Sequence, residues 1–107
     1  MAKFMVSITH AKDNSDNATV GFVVANASAA SGVETVVFLT TEGVRLSSNG
    51  YADDVHEEGF APLKQLMADF VEAEGKIWVC SPCFKKRGLD MNNLVKGATI
   101  VGGAKVV

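Results

Sequence analysis

Only two prolines, two cysteines, one tryptophan and one tyrosine occur among the 107 residues. Two cysteines cannot build the disulfide framework of a small secreted scaffold, and a chain of this length does not need one to fold. Ten basic residues face twelve acidic ones, for a net charge of −2. There is no cationic excess to neutralise a phosphate backbone, so nucleic acid is not an expected partner. No apolar run approaches the ~20 residues that span a bilayer. The opening stretch MAKFMVSITH lacks the long apolar core and cleavage site of a signal peptide. The expected compartment is the cytoplasm, where thiols stay reduced. Two cysteines there read as reactive or metal-binding before they read as a structural bridge.

What is present is an ordinary globular composition, 48% apolar and 21% charged, which fits a single domain over residues 1–107. Lys3–Thr9 reads as a mostly apolar, buried strand. The polar run His10–Asn17 offers several N-caps. Ala18–Ala30 reads as a helix with a small-residue surface, its Phe22, Ala25 and Ala29 on one face and Val20, Val24 and Ala27 beside it, ended by Gly32. Glu34–Thr40 is the second strand. Thr41–Gly59 is a long polar segment with Val44, Leu46 and Tyr51 as candidate anchors, suited to a functional loop. A helix opens near Pro62. Leu63, Leu66, Met67, Phe70 and Val71 give it one buried face, and Gly75 is its stop. Lys76–Cys80 is the third strand, Pro82–Lys86 a short helix ended by Gly88, Asp90 the cap of another short helix through Val95, and Ala98–Gly103 the fourth strand. Helices alternating with strands predict an α/β fold with a parallel sheet.

Both cysteines fall in KIWVCSPCFKKRGLD, at the end of strand three. Ser81 and Pro82 suit a helix start, so both sulfurs lie near the positive end of a helix dipole, with Lys85, Lys86 and Arg87 close by. That environment favours thiolate, and the carboxyl edge of a parallel sheet is where α/β folds bind ligands. Set against this, a cysteine is also a small buried hydrophobe. The Cys-x-Pro-Cys spacing is that of a thioredoxin-type dithiol, but the only other proline opens an amphipathic helix and cannot form the facing turn. A zinc site would need His10, His56, Cys80 and Cys83 together, at spacings that match no zinc motif. No metal and no cofactor is expected.

The ordered set of SG-VETVVFLTTEGV, the amphipathic helix leading to GKIWVC, Cys80-x6-Arg87-Gly88 and GATIVGG resembles the DsrE/DsrF family of small α/β proteins along nearly the whole chain. The resemblance implies a three-layer α/β/α fold, with a parallel sheet of four to five strands. It also implies assembly into trimers or hexamers, and a cysteine at the position of Cys80 that carries sulfur as a persulfide to a partner protein. Cys83 is not required by such a relay, and it is a candidate to resolve a Cys80 persulfide or sulfenate into a disulfide. Relatives continue after the fourth strand into a helix and a fifth strand. This chain ends at Val107, so either the sheet has fewer strands or a neighbouring subunit completes an edge. The leading expectation is a sulfur acceptor or thiol-redox protein acting through Cys80, with Cys83 as the resolving thiol of the site and donor and acceptor proteins as partners. The alternative is a non-catalytic oligomeric module that binds a ligand or protein with Thr41–Gly59. Arg87 and Gly88 read first as local structure, His10 and Glu42 as solvated groups, and His56, Glu57 and Glu58 as adjacent side chains that would not converge on one ion.

Overall fold

The computed structural model describes residues 3–102. Four strands, β1 (Lys3–Ile8), β2 (Glu34–Leu39), β3 (Lys76–Cys80) and β4 (Ala98–Val101), pair in parallel in the order β1-β2-β3-β4. Helices α1 (Ser15–Ala30), α2 (Leu63–Glu72) and α3 (Ser81–Lys86) lie in the three connections. The protein is therefore an α/β fold on a four-stranded parallel sheet. Ile8 pairs with Leu39, Leu39 with Val79 and Val79 with Ile100. This apolar row crosses the sheet next to its carboxyl edge.

Asn14 starts α1, its side-chain oxygen accepting from the Asn17 N–H at 3.1 Å. The helix thus begins three residues before the expected Ala18, because the cap sits inside the polar run. Gly21 lies against β1, where a Cβ would come within 2.7 Å of the Ile8 side chain. Close approach of the helix to the sheet follows from that missing side chain. Phe22 meets Phe70 of α2 edge-on, with ring centroids 5.9 Å apart. The Asn26 amide donates to the Leu66 carbonyl at 2.9 Å, which ties the same two helices together.

All three helices stop in the same way. The N–H two residues past each C-cap reaches back to a carbonyl of the last turn: Val33 to Ser28, Gly75 to Phe70, Leu89 to Phe84. Such an ending needs one left-handed residue. Gly32 and Gly88 supply it as the sequence predicts, at φ 80° and 62°. At α2 the left-handed residue is Glu74, φ 70°, and not Gly75. Gly75 is required for a different reason, since a Cβ there would fall 2.3 Å from the Phe70 ring.

Two local expectations need correction. β1 is not a buried strand: it is an edge, with Phe4 and Met5 43% and 40% exposed. An apolar run does not reveal its place in the strand order. The segment after Asp90 is not a helix either. The Asp90 carboxylate accepts from the Asn92 N–H at 2.8 Å in a turn, and Leu94 forms an antiparallel bridge with Ser48. The Asp90 cap competes with helix by offering the backbone a local partner. The expected end of the fourth strand at Gly103 lies outside the described residues.

The Thr41–Ser47 stretch winds into 3₁₀ turns with Val44 and Leu46 fully buried. It is a packed plug over the carboxyl edge of the sheet. Gly43 passes so close to β1 that a Cβ would fall 2.2 Å from the Ile8 carbonyl oxygen.

Side-chain alternation assigns the two sheet faces. Thr35, bonded to Ser28 of α1, Val37 and Leu39 share the helix-covered face. Met5, Val36, Phe38 and Trp78 point the other way and are exposed or half-buried. Gly97, just before β4, packs against Val71 of α2. The last connection thus also runs over the helical face.

Candidate functional site

β3 ends on Cys80, whose backbone is still extended at φ −65°, ψ 117°, and α3 begins on the next residue with Pro82 in its first turn. Cys83 follows within that turn. Both thiols are free and half-buried. The two thiols sit at one junction, one on the last residue of β3 and one in the first turn of α3, close enough to influence each other's ionisation. The expected pairing of strand end, helix start and two sulfurs is thus observed.

The two sulfurs are not equivalent. Burial is the largest influence on each and works against ionisation. At Cys80 burial prevails. The Cys83 N–H opposes it, but hydrogen bonding and like charge from Cys83 add to it, and the thiol is pushed up. At Cys83 burial is outweighed by the Thr41 N–H, the Cys80 thiol, and the charges of Arg87 and Lys86, so the thiol is drawn below the ordinary cysteine value.

Thr41 is the residue that the sequence reading did not single out. It opens the 3₁₀ segment with φ 49°. A β-branched residue in that region is strained, by about 1–3 kcal/mol. Its hydroxyl donates to the Thr9 carbonyl at 2.7 Å, which fastens it to the end of β1. No composition or spacing signal marks a threonine with positive φ.

Arg87 stands at the end of α3 with its side chain 15% exposed. Its Nη1 donates to the Cys83 carbonyl at 3.2 Å. Its Nε is buried without a hydrogen bond, the Glu42 carboxylate lying at 3.6 Å, beyond hydrogen-bond length. The other oxygen of Glu42 is held by Arg45. Glu42 is therefore not an isolated surface carboxylate. It is the anionic bridge between two arginines beside the cysteine pair.

The histidines are elsewhere engaged. His10 bonds the Asp13 carboxylate at 2.7 Å and His56 the Phe60 carbonyl at 2.8 Å. Among the described residues no group of three or more His, Cys, Asp or Glu side chains converges as metal ligands would. Separately, a cavity of about 590 Å³ lies between α2 (Met67, Val71), the turns at Ser48–Asp53, and Val95 and Lys96. Neither cysteine lines it.

A thiol pair at the strand-to-helix junction of a small all-parallel sheet defines a class of α/β thiol proteins. Within that class the chain belongs to the DsrE/DsrF-like family, whose family model matches residues 2–107. Two uncharacterized proteins of Methanocaldococcus jannaschii are similar in sequence. MJ0760 is 29% identical over 89 residues, 83% of this chain, and MJ0989 is 28% identical over 98 residues, 92% of this chain and 82% of its own. The chain spans about a third of the length of MJ0760 (32%). The ychN protein of E. coli has the same fold, at TM-score 0.82 and 19% identity, over 99% of this chain and 89% of its own. MTH1491 of Methanobacterium thermoautotrophicum aligns at TM-score 0.65 and 15% identity, over 94% of this chain and 82% of its own. No helix among the described residues is long and apolar enough to cross a membrane.

Proposed function

We propose that the protein accepts sulfane sulfur on its Cys80–Cys83 pair and hands it to a partner thiol. The observation that carries this reading is the placing of two free, half-buried thiols together where β3 runs into α3, with the Arg87 and Lys86 charges near Cys83. The Cys83 thiolate attacks the outer sulfur of a donor persulfide. The donor S–S bond breaks, and its electron pair leaves on the donor thiolate. Cys83 then carries the persulfide, and an acceptor thiolate removes the outer sulfur in the same manner, which restores the Cys83 thiolate. A second exit competes. Cys80, once deprotonated, attacks the inner sulfur and expels hydrosulfide. The sulfane sulfur is then reduced to sulfide while the two cysteines are oxidised to a disulfide.

Family membership supports sulfur chemistry as a class of function, and the half-exposed sheet face with Met5, Val36, Phe38 and Trp78 supports self-association into a trimer or hexamer. Light scattering on the purified protein tests the assembly, and a monomer at micromolar concentration would remove it from the reading.

The chemistry is tested by incubating wild type, Cys80→Ser and Cys83→Ser with a polysulfide donor and weighing the intact chains without reductant. The Cys80→Ser chain should retain a single adduct of about 32 Da on Cys83. Wild type should show that adduct or the loss of two hydrogens, and Cys83→Ser neither. Unmodified wild type after excess donor defeats the proposal, and an adduct only on Cys80 defeats the division of roles.

A second reading, a ligand-binding module, draws on the 590 Å³ cavity beneath the Ser48–Asp53 turns. Its size suits a small molecule. It predicts a ligand-dependent thermal shift that persists in the double cysteine variant, and a screen showing no such shift counts against it.

A further inference from the structure

We infer that the cavity beside α2 takes a small zwitterion with an aliphatic body, the chemistry of an aliphatic dipeptide. The inference rests on the ligand-binding reading of that cavity and names its ligand; the thiols play no part in it. The volume, about 590 Å³, is that of a small-molecule site. One wall is a single stripe of α2 that runs from Lys64 through Met67 and Val71 to Glu72, a length of about 12 Å at the helical rise. Ile77 of β3 and Val95 complete the apolar lining opposite it. Ile77 and Met67 are buried, and Val71 and Val95 pack against the core, so the cavity reaches down to the core itself. Among the described residues that line it none is aromatic. A nucleobase or flavin finds no ring to stack on, whereas an aliphatic body finds matching walls.

The far wall is fixed in place. The Val95 N–H donates to the Ser47 carbonyl at 2.7 Å, and the Asn49 N–H to the Asn93 carbonyl at 2.9 Å. The Asn49 side-chain amide donates to the Leu94 carbonyl at 3.0 Å, beside the Ser48–Leu94 bridge. The cavity is therefore formed before a ligand arrives, which lowers the ordering cost of binding. Four charged side chains border it. Lys64 and Asp53 face each other at 3.7 Å. Glu72 and Lys96 are exposed, and among the described residues neither belongs to an ion pair. They stand at the same end, because Gly97, next to Lys96, packs against Val71, next to Glu72. Two opposite charges without partners thus border one end of an aliphatic trough. A ligand of one net charge would be attracted by one and repelled by the other. An ammonium and a carboxylate on one molecule satisfy both. The carbonyl end of α2 lies at Glu72 and adds to the attraction for the ammonium.

The test titrates the intact protein with leucyl-leucine at millimolar concentration and follows the methyl resonances of Met67, Val71, Ile77 and Val95. All four should move together. N-acetyl-leucyl-leucine lacks the ammonium and leucyl-leucinamide lacks the carboxylate, so each should bind about fivefold more weakly, as expected for the loss of one solvated ion pair. Glu72→Gln should erase the difference between the free and the acetylated dipeptide, and Lys96→Gln the difference between the free dipeptide and the amide. Both positions are exposed, as is Ala68, which also lines the cavity. Ala68→Trp should fill the trough and abolish the response in a folded protein. Methyl shifts that persist in Ala68→Trp overturn the inference, and so do shifts that follow protein concentration without ligand, which assign the trough to a second copy. Blocked dipeptides that bind as well as the free one sink the inference and leave the cavity reading standing. Methyls that respond to none of the three compounds also sink it, and the wider ligand screen then decides the cavity reading on its own.

Discussion

Arg87 donates to the carbonyl oxygen of Cys83 at 3.2 Å, one helical turn before it, and so places its positive charge near the Cys83 sulfur, where it favours the thiolate. The same guanidinium faces Glu42, and Glu42 faces Arg45. Removal of Arg87 should therefore act on charge and on packing together. Arg87→Ala is expected to raise the Cys83 midpoint in pH-dependent alkylation and to cost about 1 kcal/mol in urea unfolding, the pair being partly solvated. Arg87→Lys should recover most of the charge effect but not the carbonyl contact. An unchanged midpoint in Arg87→Ala would show that the arginine serves only the helix end.

The thiol pair predicts stability changes of opposite sign with pH. Cys83 is held below its unfolded value, so its contribution is fully present above that value and fades as pH falls through the folded one. Cys80 is held above its unfolded value, so stability is lost as pH rises from the unfolded value toward the folded one. Urea unfolding at about pH 6 and about pH 9.5, on either side of the free cysteine value, reads this out. Cys83→Ala should lose more stability at the higher pH than at the lower, and Cys80→Ala less. Equal losses at both pH values would contradict the inequality of the two sulfurs.

Glu74 occupies a position that favours glycine. It is exposed, and it adopts φ 70° to end α2. Glu74→Gly removes the left-handed penalty, offset in part by the added freedom of the unfolded chain, and should stabilise the fold by about 0.5–1 kcal/mol. Chemical denaturation measures it. Destabilisation would mean that the Glu74 side chain contributes more than its exposure suggests.

Gly43 is the opposite case. A Cβ there would meet the Ile8 backbone oxygen at 2.2 Å, and backbone does not move aside cheaply. Gly43→Ala should lose about 2–3 kcal/mol or more and, by lifting the 3₁₀ segment from β1, raise the Cys83 midpoint as well. Loss of stability with an unmoved midpoint would separate the seat of that segment from the thiol site.

Much of the chain order was legible because its signals are local. The apolar period of Leu63 to Val71, the stops at Gly32 and Gly88 and the strand ending at Cys80 each depend on neighbours within a few residues. So does the union of strand end, proline and helix start that brings Cys80 and Cys83 together. The misread places are those with competing local solutions: Asp90 as turn former against helix cap, Glu74 against Gly75 as the left-handed stop, and an apolar β1 whose edge position depends on strand order.

The sequence by itself determined a parallel α/β fold with two thiols at its carboxyl edge, because periodicity and capping act at short range. The tertiary structure alone decided the surroundings of those thiols: both half-buried, with Arg87 donating to the Cys83 carbonyl and facing Glu42, beside a 3₁₀ segment seated on β1. Burial and contacts between segments distant in the chain come only from packing.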